Sequence, residues 1–206
     1  MQSNDEGMPG RRCFQRVELA AMDFDGRYRM LTGAVIPRPI AFVASVDPDG
    51  GTNLAPFSSF MILSVEEGLL GFSVGPGGYG PKRTLANIRR HPEYVINTVS
   101  EGLAAPVQLC GEWQGDGVDK ASLAGLALLM GEAVRACRVA AAPIHFECRL
   151  HGITTFGERH LVAGRIVAMH VAAGLLQGRH IEPLAYAPLG RIAGRNYCRV
   201  REIITA

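Results

Sequence analysis

Pro39-Ile40-Ala41-Phe42-Val43-Ala44-Ser45-Val46, followed by Asp47-Pro48-Asp49-Gly50-Gly51 and then Thr52-Asn53-Leu54-Ala55-Pro56-Phe57-Ser58-Ser59-Phe60, sets the fold class. Residues 40–46 are apolar and partly β-branched, with Pro39 as the boundary in front. The cluster behind them consists of turn formers, and 52–60 is extended again. Together they predict a β-hairpin whose loop is longer than two residues.

Outward from this hairpin the pattern stays β-rich. Residues 69–74, LLGFSV, form a third strand, and 75–81, GPGGYGP, a loop. Residues 84–90 read as a short helix: Thr84 can cap its first turn, and His91-Pro92 ends it. Residues 93–99 return to strand, and short helices are expected near 101–109 and 119–126. From 143 to 151, Ile144, Phe146, Cys148 and Leu150 alternate with His145, Glu147, Arg149 and His151, which predicts a half-buried antiparallel strand. Residues 160–171 form another strand. Strands and helices do not alternate regularly, so a doubly wound parallel sheet is disfavoured. A barrel, which removes the edges of an antiparallel sheet, suits the pattern.

The chain has 206 residues, 48% hydrophobic and 19% charged, as in a packed domain. We expect a flexible tail over residues 1–15 and one domain over 16–206. The net charge of +2 comes from scattered basic residues and gives no case for nucleic acid as partner. No apolar run approaches the ~20 residues of a membrane span, and the start lacks the apolar core of a signal peptide. Five widely spaced cysteines without a C-x-x-C predict reduced thiols in the cytoplasm. The histidines show no metal spacing, so no metal is expected. No G-x-S-x-G elbow is present, and the lone Trp113 reads as core or a loop anchor.

Three segments carry possible chemistry. Lys82-Arg83-Thr84 brings two cations and a hydroxyl to a helix start, where free amides and the helix dipole favour a phosphate. The same residues also read as a capped surface helix with solvated side chains. Asn53 to Ser58 contains Pro56, which weakens the segment as a central strand and leaves backbone groups for a ligand. Taken by itself, the segment reads first as a proline-interrupted edge strand. Arg38, between two prolines, is held stiffly enough to serve an anion or a carbonyl-rich ring, or stands at the surface.

In order along the chain, Tyr28-Arg-Met-Leu-Thr-Gly, Pro37-Arg-Pro-Ile-Ala-Phe-Val-Ala-Ser, Asn53-Leu-Ala-Pro-Phe-Ser, Phe72-Ser-Val-Gly, Lys82-Arg-Thr-Leu-Ala-Asn-Ile and Tyr94-Val-Ile-Asn resemble the flavin reductase-like, FMN-binding split-barrel family. Ala141-Ala-Pro-Ile-His-Phe-Glu-Cys, His160-Leu-Val-Ala-Gly and Pro188-Leu-Gly-Arg are similar to its later blocks. The resemblance spans about residues 27–198 and implies a mainly β fold, a six-stranded antiparallel split barrel with a few short helices, working as a homodimer with FMN at the interface. It implies that Lys82 and Thr84 hold the phosphate. Ser58 and the backbone of Asn53, Leu54, Ala55 and Pro56 would meet the flavin, beside Ala44 and Ser45 on the neighbouring strand, with Asn97 on the strand after the phosphate helix. Relatives often carry Lys-Asp-Thr where this chain has Lys82-Arg83-Thr84, so Arg83 either strengthens phosphate binding or faces solvent. The ending Gly194-Arg-Asn-Tyr-Cys198 matches only loosely.

The implied activity is that of an oxidoreductase passing hydride from NADH or NADPH to flavin, and on to a small-molecule or protein acceptor. The flavin carries the chemistry, so no side-chain acid–base pair is required. His160 is the candidate to line the open flavin face. The alternatives are a flavin-binding electron carrier without its own nicotinamide activity, and a cofactor-free dimeric barrel.

Overall fold

The computed structural model describes residues 13–76, 83–115 and 117–205, so most of the expected N-terminal tail lies outside the described residues. The strands are β1 (Ala41–Val46), β2 (Thr52–Phe57), β3 (Phe60–Ser64), β4 (Leu69–Val74), β5 (Glu93–Asn97), β6 (Leu128–Leu129), β7 (Arg138–Val139), β8 (Ile144–Phe156), β9 (Arg159–Val171), β10 (Leu176–Gln177), β11 (His180–Ile181), β12 (Leu189–Arg191) and β13 (Tyr197–Arg199). The helices are α1 (Phe24–Ala34), α2 (Arg83–Arg90), α3 (Ala104–Gly111), α4 (Lys120–Leu123) and α5 (Pro183–Tyr186). β6–β7, β10–β11 and β12–β13 are separate two-stranded ladders.

The main sheet runs β2-β1-β5-β8-β9-β4-β3, and every pairing is antiparallel. β2 and β3 stand at its opposite edges, yet only Ser58 and Ser59 separate them in the chain. They are two halves of one bent strand. Its first half pairs with β1, its second with β4, and the barrel is split at the bend. This is how a seven-stranded ladder is a six-stranded split barrel, and why the single extended stretch expected over 52–60 divides. At the bend the Ser73 amide donates to the Ser59 carbonyl at 3.3 Å, which extends the β3–β4 ladder by one rung, and across the split the Phe57 and Phe72 rings lie 4.9 Å apart.

Two cores flank β1. Ala41 and Val43 join Phe57, Phe72, Ile88, Tyr94, Ile96, Cys148 and Val162 inside the barrel. Phe42 and Ala44 join Leu54, Val95, Val107 and Val139 outside it, beneath α3 and α4. Burial on both faces explains why residues 40–46 read as a continuous apolar run. Inside the barrel Tyr94 packs edge-on against Phe72, and its hydroxyl has no hydrogen-bond partner among the described residues. Burial pushes its pKa up. Gly164 makes room for it, since a Cβ there would stand 1.9 Å from the Tyr94 hydroxyl.

Three expectations change. α1 was unmarked in the sequence, because none of its residues is buried and no apolar stripe announces it; Asp23 caps it, accepting from the Gly26 amide at 2.8 Å. α2 begins at Arg83, so Thr84 lies inside the helix instead of capping it. Trp113 takes the loop position that was one of its two expected places, 51% exposed after α3. The largest change concerns β8. Its inner face is as expected, but His145 and Glu147 are also buried, and only Arg149 and His151 face solvent.

Residues 131–136 fold over Glu147 and supply its partners. The amides of Glu132 (2.9 and 3.0 Å), Ala133 (2.6 Å) and Val134 (3.0 Å) donate to its carboxylate, as does His170 Nε2 at 2.8 Å. Burial works against the charge, and these bonds outweigh it and hold the carboxyl below its ordinary range. His145 bonds the Val139 carbonyl through Nε2 at 2.9 Å, and burial keeps its pKa below the usual histidine value. All five cysteines are free. Burial pushes the Cys110 thiol up to about 11 and the Cys148 thiol up to about 12. Among the described residues no helix is long and apolar enough to cross a membrane.

Candidate functional site

The hairpin turn, β2 and the start of α2 are joined by a buried polar network. Asn53 Nδ2 donates to Thr84 Oγ1 at 2.9 Å and to Ser45 Oγ at 3.4 Å. Asn87 Nδ2 donates to Ser45 Oγ at 3.1 Å and Asp47 Oδ1 at 2.9 Å. Arg83 closes the network with an ion pair to Asp47 at 2.5 Å. Ser45, Asp47, Asn53, Thr84 and Asn87 are all buried. Polar groups so enclosed fix one geometry, because breaking any bond leaves an unpaired buried group. The network therefore pins the first turn of α2 to the edge strand.

The sequence-derived candidates divide in three. Ser45, Asn53, Arg83 and Thr84 meet in this network. Arg83 is one-third exposed, and its guanidinium is paired with Asp47. Ala44 and Leu54 are fully buried, main chain included, while Ala55, Pro56 and Ser58 are half-buried along the edge. Asn97 is apart from both groups. Its amide is fully buried, donating to the Phe42 carbonyl at 2.9 Å and accepting from the Val139 amide at 2.8 Å. Lys82 lies outside the described residues.

Arg38 sits at the far end of β2. Its guanidinium donates to the carbonyls of Thr32, Val35 (3.0 Å) and Ile192 (2.5 Å), and through Nε to Ser58 Oγ at 3.4 Å. A cavity of about 230 Å³ opens there, lined among others by Arg38, Pro56, Ser58, Arg191 and Tyr197. His160 pairs with Val74, one residue beyond the Ser73 that bonds the bend at Ser59, and bonds Thr155 Oγ1 through Nδ1 at 3.0 Å. It shares the face of buried Val162, at the barrel mouth.

Sequence reasoning missed Asp47, Asn87 and Arg191. Asp47 was read only as a turn former. A signal existed for Asn87, which lies three residues after Thr84 and so on the same helix face. Arg191 stood in the Pro188-Leu-Gly-Arg block without a role, because it reaches the site only through tertiary pairing. Arg159 was missed as well: its guanidinium lies against Gly75, so that a Cβ there would stand 2.8 Å from Nη1.

The donor set suits a flavin mononucleotide. At one end a helix start is backed by the Thr84 hydroxyl, which accepts from Asn53 and keeps its own proton to donate. At the other, an edge strand interrupted by Pro56 carries main-chain groups and a serine hydroxyl toward a cavity.

Residues 32–193 match the flavin reductase like domain. The crystal structure of 2-nitrobenzoate 2-nitroreductase NbaA from Pseudomonas fluorescens is 31% identical, with 93% of this chain and 95% of that one covered and a TM-score of 0.84. Nitrilotriacetate monooxygenase component B from Bacillus cereus is 28% identical, over 95% of this chain and all 100% of the other, with a TM-score of 0.89. A Shewanella frigidimarina protein assigned as a flavin reductase with a split barrel domain is 18% identical, covers 95% and 98%, and has a TM-score of 0.84; that likeness speaks to the fold alone. With most of its length matched, and with the divided strand that splits the barrel, this chain belongs to the flavin reductase like domain family.

Proposed function

We propose that this protein binds FMN along β2 and passes hydride from NADH or NADPH to it, acting as a flavin reductase. The observation that carries the reading is the Ser45–Asn53–Thr84 network, which ties an anion-favouring helix start to an incompletely paired edge strand. When bound, the flavin supplies hydride acceptance and onward electron release. Lys82 and the first amides of α2 hold the phosphate, with the Thr84 hydroxyl as a further donor. Arg83 acts indirectly, cancelling the Asp47 charge that would repel a phosphate. The main chain of 53–56 and the Ser58 hydroxyl present polar groups to the ring, and Arg38 keeps positive charge at that end, where it favours the reduced state. Ala44 and Asn97 support β2 from behind. His160 lines the open face at the split.

A homodimer with the flavin at its interface accords with β3, an edge strand that exposes Met61, Ile62 and Leu63, followed by Val65 at 78% exposure. An apolar edge of that kind invites a covering partner, here a second copy. Five free thiols accord with a cytoplasmic location. The acceptor is a small molecule or a protein.

Steady-state oxidation of NADH and NADPH with FMN present, alongside FMN titration by fluorescence quenching, tests the proposal. Turnover with either nicotinamide is expected. FMN binding without turnover would favour the electron-carrier alternative, and absence of binding would overturn the site. Sedimentation analysis reports on the dimer.

A further inference from the structure

The cavity beside Ser58 holds two unneutralised guanidinium groups. Arg38 and Arg191 are directly paired across an isolated antiparallel bridge: the Arg38 amide donates to the Arg191 carbonyl at 3.0 Å, and the Arg191 amide returns the bond at 2.8 Å. Both side chains line the same cavity. Like charges directly opposite one another across a ladder repel. Among the described residues neither arginine has a carboxylate within ion-pair distance; each bonds only neutral acceptors. Those of Arg191 are Gln108 Oε1 at 2.9 Å, the Tyr197 hydroxyl and the Gly194 carbonyl, with its Cζ 4.6 Å over the Tyr197 ring. Glu112, the nearby acid, is occupied by Arg195 at 2.6 Å and by Gln108 Nε2 at 2.9 Å.

A guanidinium has five N–H donors. By the bonds above, Arg38 has one left and Arg191 two. The groups are therefore fixed in place by neutral partners, carry net charge, and keep donors free toward the cavity. That arrangement suits an anionic ligand, since the cost of orienting the cations is already met. At about 230 Å³ the cavity is below the roughly 300–1,000 Å³ of typical ligand pockets, too small for a dinucleotide and suited to a single-ring molecule. Tyr28 and Tyr197 offer ring faces, and Ile40 and Val107 an apolar floor.

We propose that this cavity is the subsite for the carboxylate of a small, ring-sized organic acid, held by Arg191 and Arg38 beside the ring end of the flavin strip. As the substrate or acceptor pocket of a flavoenzyme, it rests on the function proposed above; as a carboxylate site, it stands independently.

The test is calorimetric titration of the full-length protein with benzoate, with benzamide as the neutral isostere and inorganic phosphate as the competing anion. Benzoate is expected to bind, with benzamide at least about tenfold weaker, in line with the strength of hydrogen bonds to charged groups. Arg191→Gln removes that preference, and Arg191→Lys retains part of it. Equal binding of benzoate and benzamide, or a preference that survives Arg191→Gln, overturns the proposal. Phosphate displacing benzoate as effectively as benzoate itself overturns the carboxylate assignment. FMN titrated separately distinguishes the two failures: benzoate binding without FMN binding sinks the reductase reading alone, and the reverse sinks only the subsite.

Discussion

Arg83 offers the sharpest separation of roles, because the alternatives move in opposite directions in a double substitution. Arg83→Met leaves the Asp47 carboxylate, 7% exposed, with Asn87 as its remaining side-chain partner. Breaking one side of a fully buried pair costs about 3–5 kcal/mol, and the one-third exposure of Arg83 reduces the expectation to about 2 kcal/mol. In a chain of this size that lowers the melting temperature by about 4–8 °C. FMN binding should weaken by roughly fivefold, because an unneutralised carboxylate near a phosphate site opposes it by on the order of 1 kcal/mol. Asp47→Asn in the same chain removes the stranded charge while its Oδ1 still accepts from Asn87. The double variant should recover most of the melting temperature and of the FMN affinity, by calorimetry and fluorescence titration. If it binds FMN as weakly as Arg83→Met alone, Arg83 contacts the phosphate and the indirect role is wrong.

Glu147→Gln puts an amide N–H against main-chain donors, and should cost about 3–5 kcal/mol in urea unfolding at pH 7. Folding depresses the Glu147 pKa below its ordinary 4.5, so its contribution is full above that pH and is lost as pH falls through the folded value. The gap between parent and variant should therefore close in acid; a gap constant with pH contradicts the assignment. Tyr94→Phe deletes a buried hydroxyl that has no hydrogen-bond partner among the described residues and should raise stability by about 1 kcal/mol, read from the denaturation midpoint. Gly164→Ala should destabilise by about 1–3 kcal/mol through the clash with Tyr94, with part of the loss relieved when Tyr94→Phe is added.

The sequence alone determined the β-rich class, the hairpin around 47–51 and the positions of most main-sheet strands, because turn chemistry and apolar runs are local. It also marked the edge strand and the helix start, through Pro56 and Lys82-Arg83-Thr84. What it left out is non-local. Ser58 and Ser59 became the split of the barrel only because the halves of one strand pair with β1 and β4. Glu147 alternates like a solvent-facing residue, and only the return of residues 131–136 supplies the amides that let it be buried charged. Arg83 shows the same limit: its neighbours in sequence suggest a phosphate, whereas the hairpin turn, folded against α2, gives it Asp47. Arg191, distant in sequence, meets Arg38 only through a bridge between the C-terminal ladder and the entry to β1. Periodicity and turn residues report which face a segment buries. Which charge meets which is fixed by tertiary pairing.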